Sequence, residues 1–210
     1  MGNRRGQRVP LFRSRRSPTW DEATADEELV ALAQAGDREA FAALYDRYLP
    51  RVYGYCYRLL GDREEAEDAN TDVFMRALAA LPAFRAGSFR SWLFAIAHNV
   101  AKDELRRRKP TAPLEAAREI ADPGQSPEEI AATALDRLTV LSLLPLLSDD
   151  QRQVVALRLS GLTAVEIGEA MGKPRNAIDG IHHRALLRLR SLVATSGAAA
   201  TNAKGGGRDG

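Results

Sequence analysis

Between residues 110 and 138 the chain is interrupted by Pro110, Pro113, Pro123, Gly124 and Pro127. Proline fixes φ and has no N–H to donate to a helix or a central strand. No regular element can therefore run from one side of this stretch to the other. Six acids against two arginines give it a net charge of −4. It reads as an acidic linker, helix-compatible only from Glu128 to Leu138. Two compact segments flank it, 21–109 and 139–194. Residues 1–20 hold six arginines and no acid, and read as a disordered basic arm. The Ala/Gly-rich residues 195–210 read as a disordered tail.

Both segments carry helical spacing, and no period-2 run appears. Asp37 is an N-cap candidate before Ala40, Phe41, Leu44, Tyr45 and Tyr48. Pro50 should break or restart that helix. Val52, Tyr53, Cys56, Leu59 and Leu60 follow, to a stop at Gly61. Asp62 with Glu65 resembles a capping box, opening a helix to about Leu81, before Pro82. Ser88 can cap a further helix, ended by Pro110. The expectation is an all-α chain of two small helical domains joined by a flexible linker.

In the second segment, Ser148 with Gln151 and Thr163 with Glu166 are capping boxes. Gly161 and Gly172 are stops, and Pro174 suits a first helical turn. The last helix puts Ile178, Ile181, Ala185, Leu189 and Leu192 on one face. Its outward face carries Arg175, Asn176, Asp179, His183 and Arg184. A short helix, a Gly turn and a longer basic helix make a helix-turn-helix pattern, whose second helix reads base edges in DNA. The alternative is an αα-hairpin with a solvated basic face. His182 and His183 diverge by about 100° on a helix, which argues against a shared metal.

The first segment presents two surfaces. On helix 62–81, Ala66, Ala69, Val73, Ala77 and Leu81 form the apolar face. Glu65, Asp68 and Asp72 form an acidic stripe beside Phe74 and Met75. Either the stripe is solvated or it docks a basic partner. Helix 88–108 buries Phe89, Trp92, Leu93, Ile96 and Val100. Its other face offers Arg90, Phe94, His98, Asn99, Lys102, Asp103 and Arg106. Cations interleaved with a ring suit unpaired nucleic acid, and the 82–87 loop could wall a pocket for an unstacked base. The competing reading places Phe94 in the core and leaves 106–109 solvated.

The whole-chain charge of +2 conceals segregation: +6 in the arm, −3 over 21–109, −4 in the linker, +2 over 139–194 and +1 in the tail. The single cysteine forbids an internal disulfide and suits a reducing cytosol. No apolar run approaches the roughly 20 residues of a membrane span. No Gly-rich phosphate loop, metal-ligand cluster or nucleophile constellation appears, which argues against an enzyme and against a cofactor.

The run AEDANTDVFMRALAALPAFRAGSFRSWLFAIAHNVAKDELRRR, residues 66–108, resembles region 2 of the sigma-70 family. The run LPLLSDDQRQVVALRLSGLTAVEIGEAMGKPRNAIDGIHHRALLRLRSL, residues 144–192, resembles region 4. The likeness is nearest to the extracytoplasmic-function group. With 25–65 it covers 133 of the 210 residues, just under two-thirds of the chain.

The resemblance implies a cytoplasmic bacterial initiation factor that binds core RNA polymerase and directs it to promoter DNA. Glu65, Asp68, Asp72, Phe74 and Met75 would meet the β′ clamp helices, and region 4 the β flap. Phe84, Arg85, Ser88, Arg90, Phe94, His98, Asn99, Lys102, Asp103, Arg106 and Arg107 would melt and read the −10 element. Lys173, Arg175, Asn176, Asp179, His183, Arg184 and Arg188 would read the −35 element. An anti-sigma factor is the expected regulator, and no membrane insertion is implied. The chain departs from the family where Ala69-Asn70-Thr71 replaces Leu-Thr-Gln. It departs again where Ala177-Ile178-Asp179-Gly180-Ile181 replaces Thr-Val-Lys-Ser-Arg. Asp179 would repel phosphate, and Gly180 weakens the helix by about 1 kcal/mol. The alternative function is a helix-turn-helix regulator with a helical sensor domain.

Overall fold

The computed structural model describes residues 24–85, 87–107 and 141–204. Every regular element among them is helical. In chain order these are α1 (Asp26–Gln34), α2 (Arg38–Leu60), α3 (Arg63–Ala80), α4 (Phe89–Arg107), α5 (Asp149–Leu159), α6 (Ala164–Met171) and α7 (Arg175–Lys204). Single 3₁₀ turns stand at Leu81–Ala83 and Leu144–Leu146, each containing a proline. The basic arm and the whole of the acidic linker, with the helix-compatible stretch from Glu128 to Leu138, lie outside the described residues.

The chain divides into two compact units, 1–47 and 48–210. In the first, α1 is capped only by Ala25, which offers no side-chain acceptor. That missing cap is why α1 leaves no start signal in the sequence. Asp26 pairs with Arg47 at 2.5 Å. Gly36 turns the chain at φ 99°. Asp37 then opens α2, its Oδ1 accepting from the N–H groups of Glu39 and Ala40 at 2.9 and 3.2 Å.

The expectation that Pro50 breaks this helix is wrong, because α2 is continuous through it. Proline costs roughly 3 kcal/mol in a helix interior. Burial outweighs that here: Val52, Tyr55, Cys56, Leu59 and Leu60 all lie inside, and each large apolar side chain gives about 1.5–3 kcal/mol.

In the second unit, Gly61 ends α2 at φ 69°. Asp62 Oδ1 accepts from the Glu65 N–H at 2.9 Å to start α3. Ala66, Ala69, Val73, Ala77 and Leu81 are buried as their spacing predicts. Ser88 Oγ accepts from the Ser91 N–H at 3.2 Å and starts α4, which packs on α3.

The helix-turn-helix is present. Gln151 Oε1 accepts from the Ser148 N–H at 3.2 Å at the head of α5. Glu166 Oε2 accepts from the Thr163 N–H at 2.8 Å, and Thr163 Oγ1 from the Glu166 N–H at 3.3 Å, closing the capping box of α6. Gly172 stops α6 in the left-handed region, φ 64°, and the Lys173 N–H returns to the Gly168 carbonyl at 2.9 Å. The core beneath α7 gathers Leu144, Leu147, Val155 and Ala185, with Leu141 and Leu189 against them.

One further expectation changes. The stretch from Thr195, read as a disordered tail, continues α7 to Lys204. Alanines 194, 198, 199, 200 and 203 supply the best helix propensity available, enough to carry Gly197. The two helical segments are in contact, α4 packing against α6.

Candidate nucleic-acid interface

On α3, Asp68 is exposed, and Asp72 is half-buried and paired with Arg76 at 2.8 Å. Glu65 is half-buried in the first turn. Met75 is 63% exposed, but Phe74 is buried. The expectation that Phe74 sits beside the acids is therefore corrected: at one position before Met75 it turns about 100° into the core. Leu78, one turn beyond Met75 and 49% exposed, takes that place. The sequence reading names Phe74 and Met75 beside the acids and does not name Leu78; its spacing of three residues from Met75 is the signal that points to it.

The loop before α4 is held by an aromatic cluster. Phe84 lies 5.1 Å from Trp92 and 6.3 Å from Phe89, and Phe89 and Trp92 are 5.6 Å apart. Tyr48 meets Phe89 edge-on at 5.6 Å. Such contacts each add roughly 0.5–1.5 kcal/mol beyond burial. Arg85 is exposed, its guanidinium donating to the Pro82 carbonyl at 2.6 Å. Ala86 lies outside the described residues.

Two α4 side chains placed on the nucleic-acid face belong to the interior. Phe94 is wholly buried, edge-on to Tyr55 at 5.8 Å. His98 is buried, with Nδ1 3.4 Å from Tyr55 Oη. Burial first, and the charge of Lys102 second, lower its pKa to about 4, so it is neutral at pH 7. Both corrections follow because α4 is covered on more than one side: Tyr55 of α2 meets Phe94 and His98, and α3 and α6 also pack on the helix. Asn99, Lys102, Arg106 and Arg107 remain exposed, Asp103 is half-buried, and Arg107 pairs with Glu104 at 2.6 Å.

Arg90 is half-buried. Its Nη2 and Nε lie 2.5 and 2.7 Å from Glu166 Oε1 on α6. Burial alone would raise the Glu166 carboxyl. Hydrogen bonds from Thr163 and Arg90 outweigh it and hold the carboxyl below the usual range. A second bridge joins the same two segments, Arg58 Nη2 donating to Ser160 Oγ at 2.6 Å.

On α7, Arg175, Asn176, Asp179, His183, Arg184 and Arg188 are all exposed. This is one outward face, as the spacing predicts. Asp179 is not isolated: Arg175 and Arg158 stand 3.5 and 3.7 Å away. Arg158, from α5, has no sequence signal linking it to this face. Lys173 is half-buried and pairs with Asp150 at 2.8 Å. No helix among the described residues is long and apolar enough to cross a membrane.

Two family descriptions match the chain: Sigma-70 region 2 over residues 44–111, and Sigma-70 region 4 over 143–191. The chain is 34% identical over 174 residues to the ECF RNA polymerase sigma factor BldN of Streptomyces coelicolor, covering 79% of this chain and 65% of that one. It thus spans just under two thirds of the length of that relative. It is 32% identical over 176 residues to SigW of Bacillus subtilis, another ECF RNA polymerase sigma factor, covering 78% of this chain and 94% of that one. Among solved structures, CnrH in complex with the cytosolic domain of CnrY is similar at a TM-score of 0.64 and 27% identity, over 82% of this chain and 99% of that chain. RpoE from Bartonella quintana, in complex with the anti-sigma factor NepR, is similar at 0.61 and 25%, over 73% and 96%.

Proposed function

From a chain that belongs to the extracytoplasmic-function sigma factors of RNA polymerase, we propose a promoter-directing initiation factor that works by binding and carries out no bond chemistry of its own. The observation that carries this is the pairing of two surfaces. An acidic and apolar strip on α3 (exposed Asp68, Met75 and Leu78 with half-buried Asp72) precedes α4, and a helix-turn-helix with an exposed polar recognition helix follows. A regulator with a sensor domain has no use for the first surface.

The strip on α3 docks the β′ clamp helices of core polymerase, with Met75 and Leu78 giving apolar area and the acids giving orientation. Region 4 meets the β flap. Asn99, Lys102, Arg106 and Arg107 hold the backbone of the melted −10 strand, and the loop before α4 receives an unstacked base. Arg175, Asn176 and Arg184 enter the major groove at −35. Neither DNA surface is strongly basic, so affinity for free DNA is low. Core polymerase tethers both surfaces and raises their effective concentration on the promoter. The site of action is the cytoplasm. RpoE from Bartonella quintana forms a complex with the anti-sigma factor NepR, and an anti-sigma factor is the regulator that holds this factor off.

Purified chain and core polymerase, given a randomised promoter library, should yield transcripts sharing paired −35 and −10 sequences. The chain alone should barely retard the same DNA. Replacing Asp68 and Asp72 with Arg should abolish core binding with the helical circular dichroism unchanged. Unchanged core affinity would remove the docking surface from α3.

A further inference from the structure

Helix α7 carries a single acid, Asp179, exposed on its outward face one turn after Arg175. Asp179 Oδ2 lies 3.5 Å from Nε of Arg175, and Oδ1 lies 3.7 Å from Nη2 of Arg158. Both exceed the length of a charge-assisted hydrogen bond, about 2.7–2.9 Å. Two cations therefore place the carboxylate while its lone pairs stay available. Arg158 is anchored from behind, Nη1 donating to the Leu162 carbonyl at 3.3 Å. Arg175 is exposed and turns Nε toward the acid, leaving its two Nη groups for another acceptor. Asn176 is committed differently: its Oδ1 accepts from the Ala177 N–H at 2.9 Å, so it offers a base only its NH₂.

The first turns of a recognition helix meet base edges in the major groove. A carboxylate there is repelled by phosphate and needs a donor. The bases present two, cytosine N4 and adenine N6. The fork of Arg175 needs two adjacent acceptors, and only guanine N7 and O6 supply them. Guanine O6 and cytosine N4 of one pair are hydrogen-bonded to each other at about 2.9 Å. That spacing is close to the 3.5 Å between Arg175 Nε and Asp179 Oδ2. The two side chains thus match the acceptor–acceptor–donor row of one G·C pair. The reversed pair presents the row backwards and sets the acid against guanine.

We propose that Asp179 selects the sequence read by α7, accepting from N4 of a cytosine while Arg175 holds the guanine paired with it. The −35 site then contains one G·C pair of fixed orientation. This rests on the preceding reading that α7 enters the major groove. The acid that repels phosphate is the residue that selects a base.

The test is selection, by the full chain at low salt, of duplexes carrying a randomised central window. The unmodified chain should enrich one G·C pair of fixed orientation. Asp179→Ala should weaken that preference about 10-fold, the discrimination of one good base contact, and spare the neighbouring positions. Asp179→Asn removes the same charge but keeps an acceptor and adds two donors. It should select adenine in place of the cytosine, because an amide pairs with adenine N6 and N7. Arg175→Lys keeps the charge without the fork, and should lose the guanine preference with overall affinity little changed. An acid that only tempers charge would give the alanine and asparagine variants the same enriched sequence. That result overturns the proposal. So does one enriched sequence shared by the unmodified chain and Asp179→Ala, or an unmodified chain that enriches nothing. The selection requires no polymerase. Failure of promoter-directed transcription with the base preferences intact therefore refutes the preceding reading of the factor and leaves Asp179 standing as a base reader.

Discussion

The phenol oxygen of Tyr55 on α2 lies 3.4 Å from Nδ1 of His98 on α4, and both side chains are buried. The contact joins residues 43 apart in sequence and locks the orientation of α4. With Phe94 edge-on to the same tyrosine at 5.8 Å, it makes Tyr55 the pivot on which this helix is set.

Phe94→Ala should therefore cost about 3–5 kcal/mol, the range for removing a buried ring and leaving a cavity. Phe94→Leu should retain more than half of that. Urea unfolding followed by circular dichroism measures both. A loss below about 1 kcal/mol for the alanine variant would place Phe94 on a surface.

His98 gives the chain a pH dependence. Its folded pKa of about 4 is below the ordinary 6.5, so between these values the unfolded chain binds the extra proton. Stability then rises with pH across that window and falls as pH drops through it. Tyr55, Lys102, Asp150 and Lys173 are the titratable groups around the ring. Going from pH 7 to pH 5 should cost about 2 kcal/mol through this group. His98→Gln should remove that component of the slope, seen by comparing unfolding free energies of the two proteins at both pH values.

The helix starts were readable because a cap is local chemistry. Asp37, Asp62, Ser88 and the Thr163–Glu166 box all make the bonds their spacing implies. The orientation of α4 was not readable. A one-sided periodicity assigns its second face to solvent, and that face is covered by an element 76 residues away, through Arg90 and Glu166. Continuity of α2 through Pro50 was hidden for a related reason: local propensity favoured a break, and burial of Val52, Tyr55 and Cys56 outweighed it. The acidic strip on α3 was legible in its charges and misjudged in its apolar part, Leu78 standing where Phe74 was expected.

Two glycines in the helix-turn-helix should respond differently to substitution. At Gly168 a Cβ would stand 2.6 Å from the Lys173 carbonyl oxygen, a backbone atom that cannot step aside. Gly168→Ala should cost about 1–3 kcal/mol and loosen the turn. Gly172 has open space around it but a φ of +64°. Gly172→Ala should cost about 1 kcal/mol, and Gly172→Asn less, because asparagine visits that region. Thermal melts of the three variants should preserve this order.

Asp179 tempers the charge of the recognition helix. Its carboxylate stands between Arg175 and Arg158, at 3.5 and 3.7 Å. Removing it leaves the exposed Arg175 and the half-buried Arg158 with no acid between them. Asp179→Ala should strengthen binding to a duplex of arbitrary sequence. It should also steepen the salt dependence, log K against log salt gaining a slope of about −0.9 for each new phosphate contact. With one or two such contacts, affinity at low salt should rise about 3- to 10-fold. Fluorescence anisotropy on a labelled random duplex at two salt concentrations reads both quantities. The same change should leave stability within about 0.5 kcal/mol, because the pair is solvent-exposed and held at long distance. An unchanged salt slope would mean that neither arginine reaches the backbone, and would turn this face of α7 away from DNA.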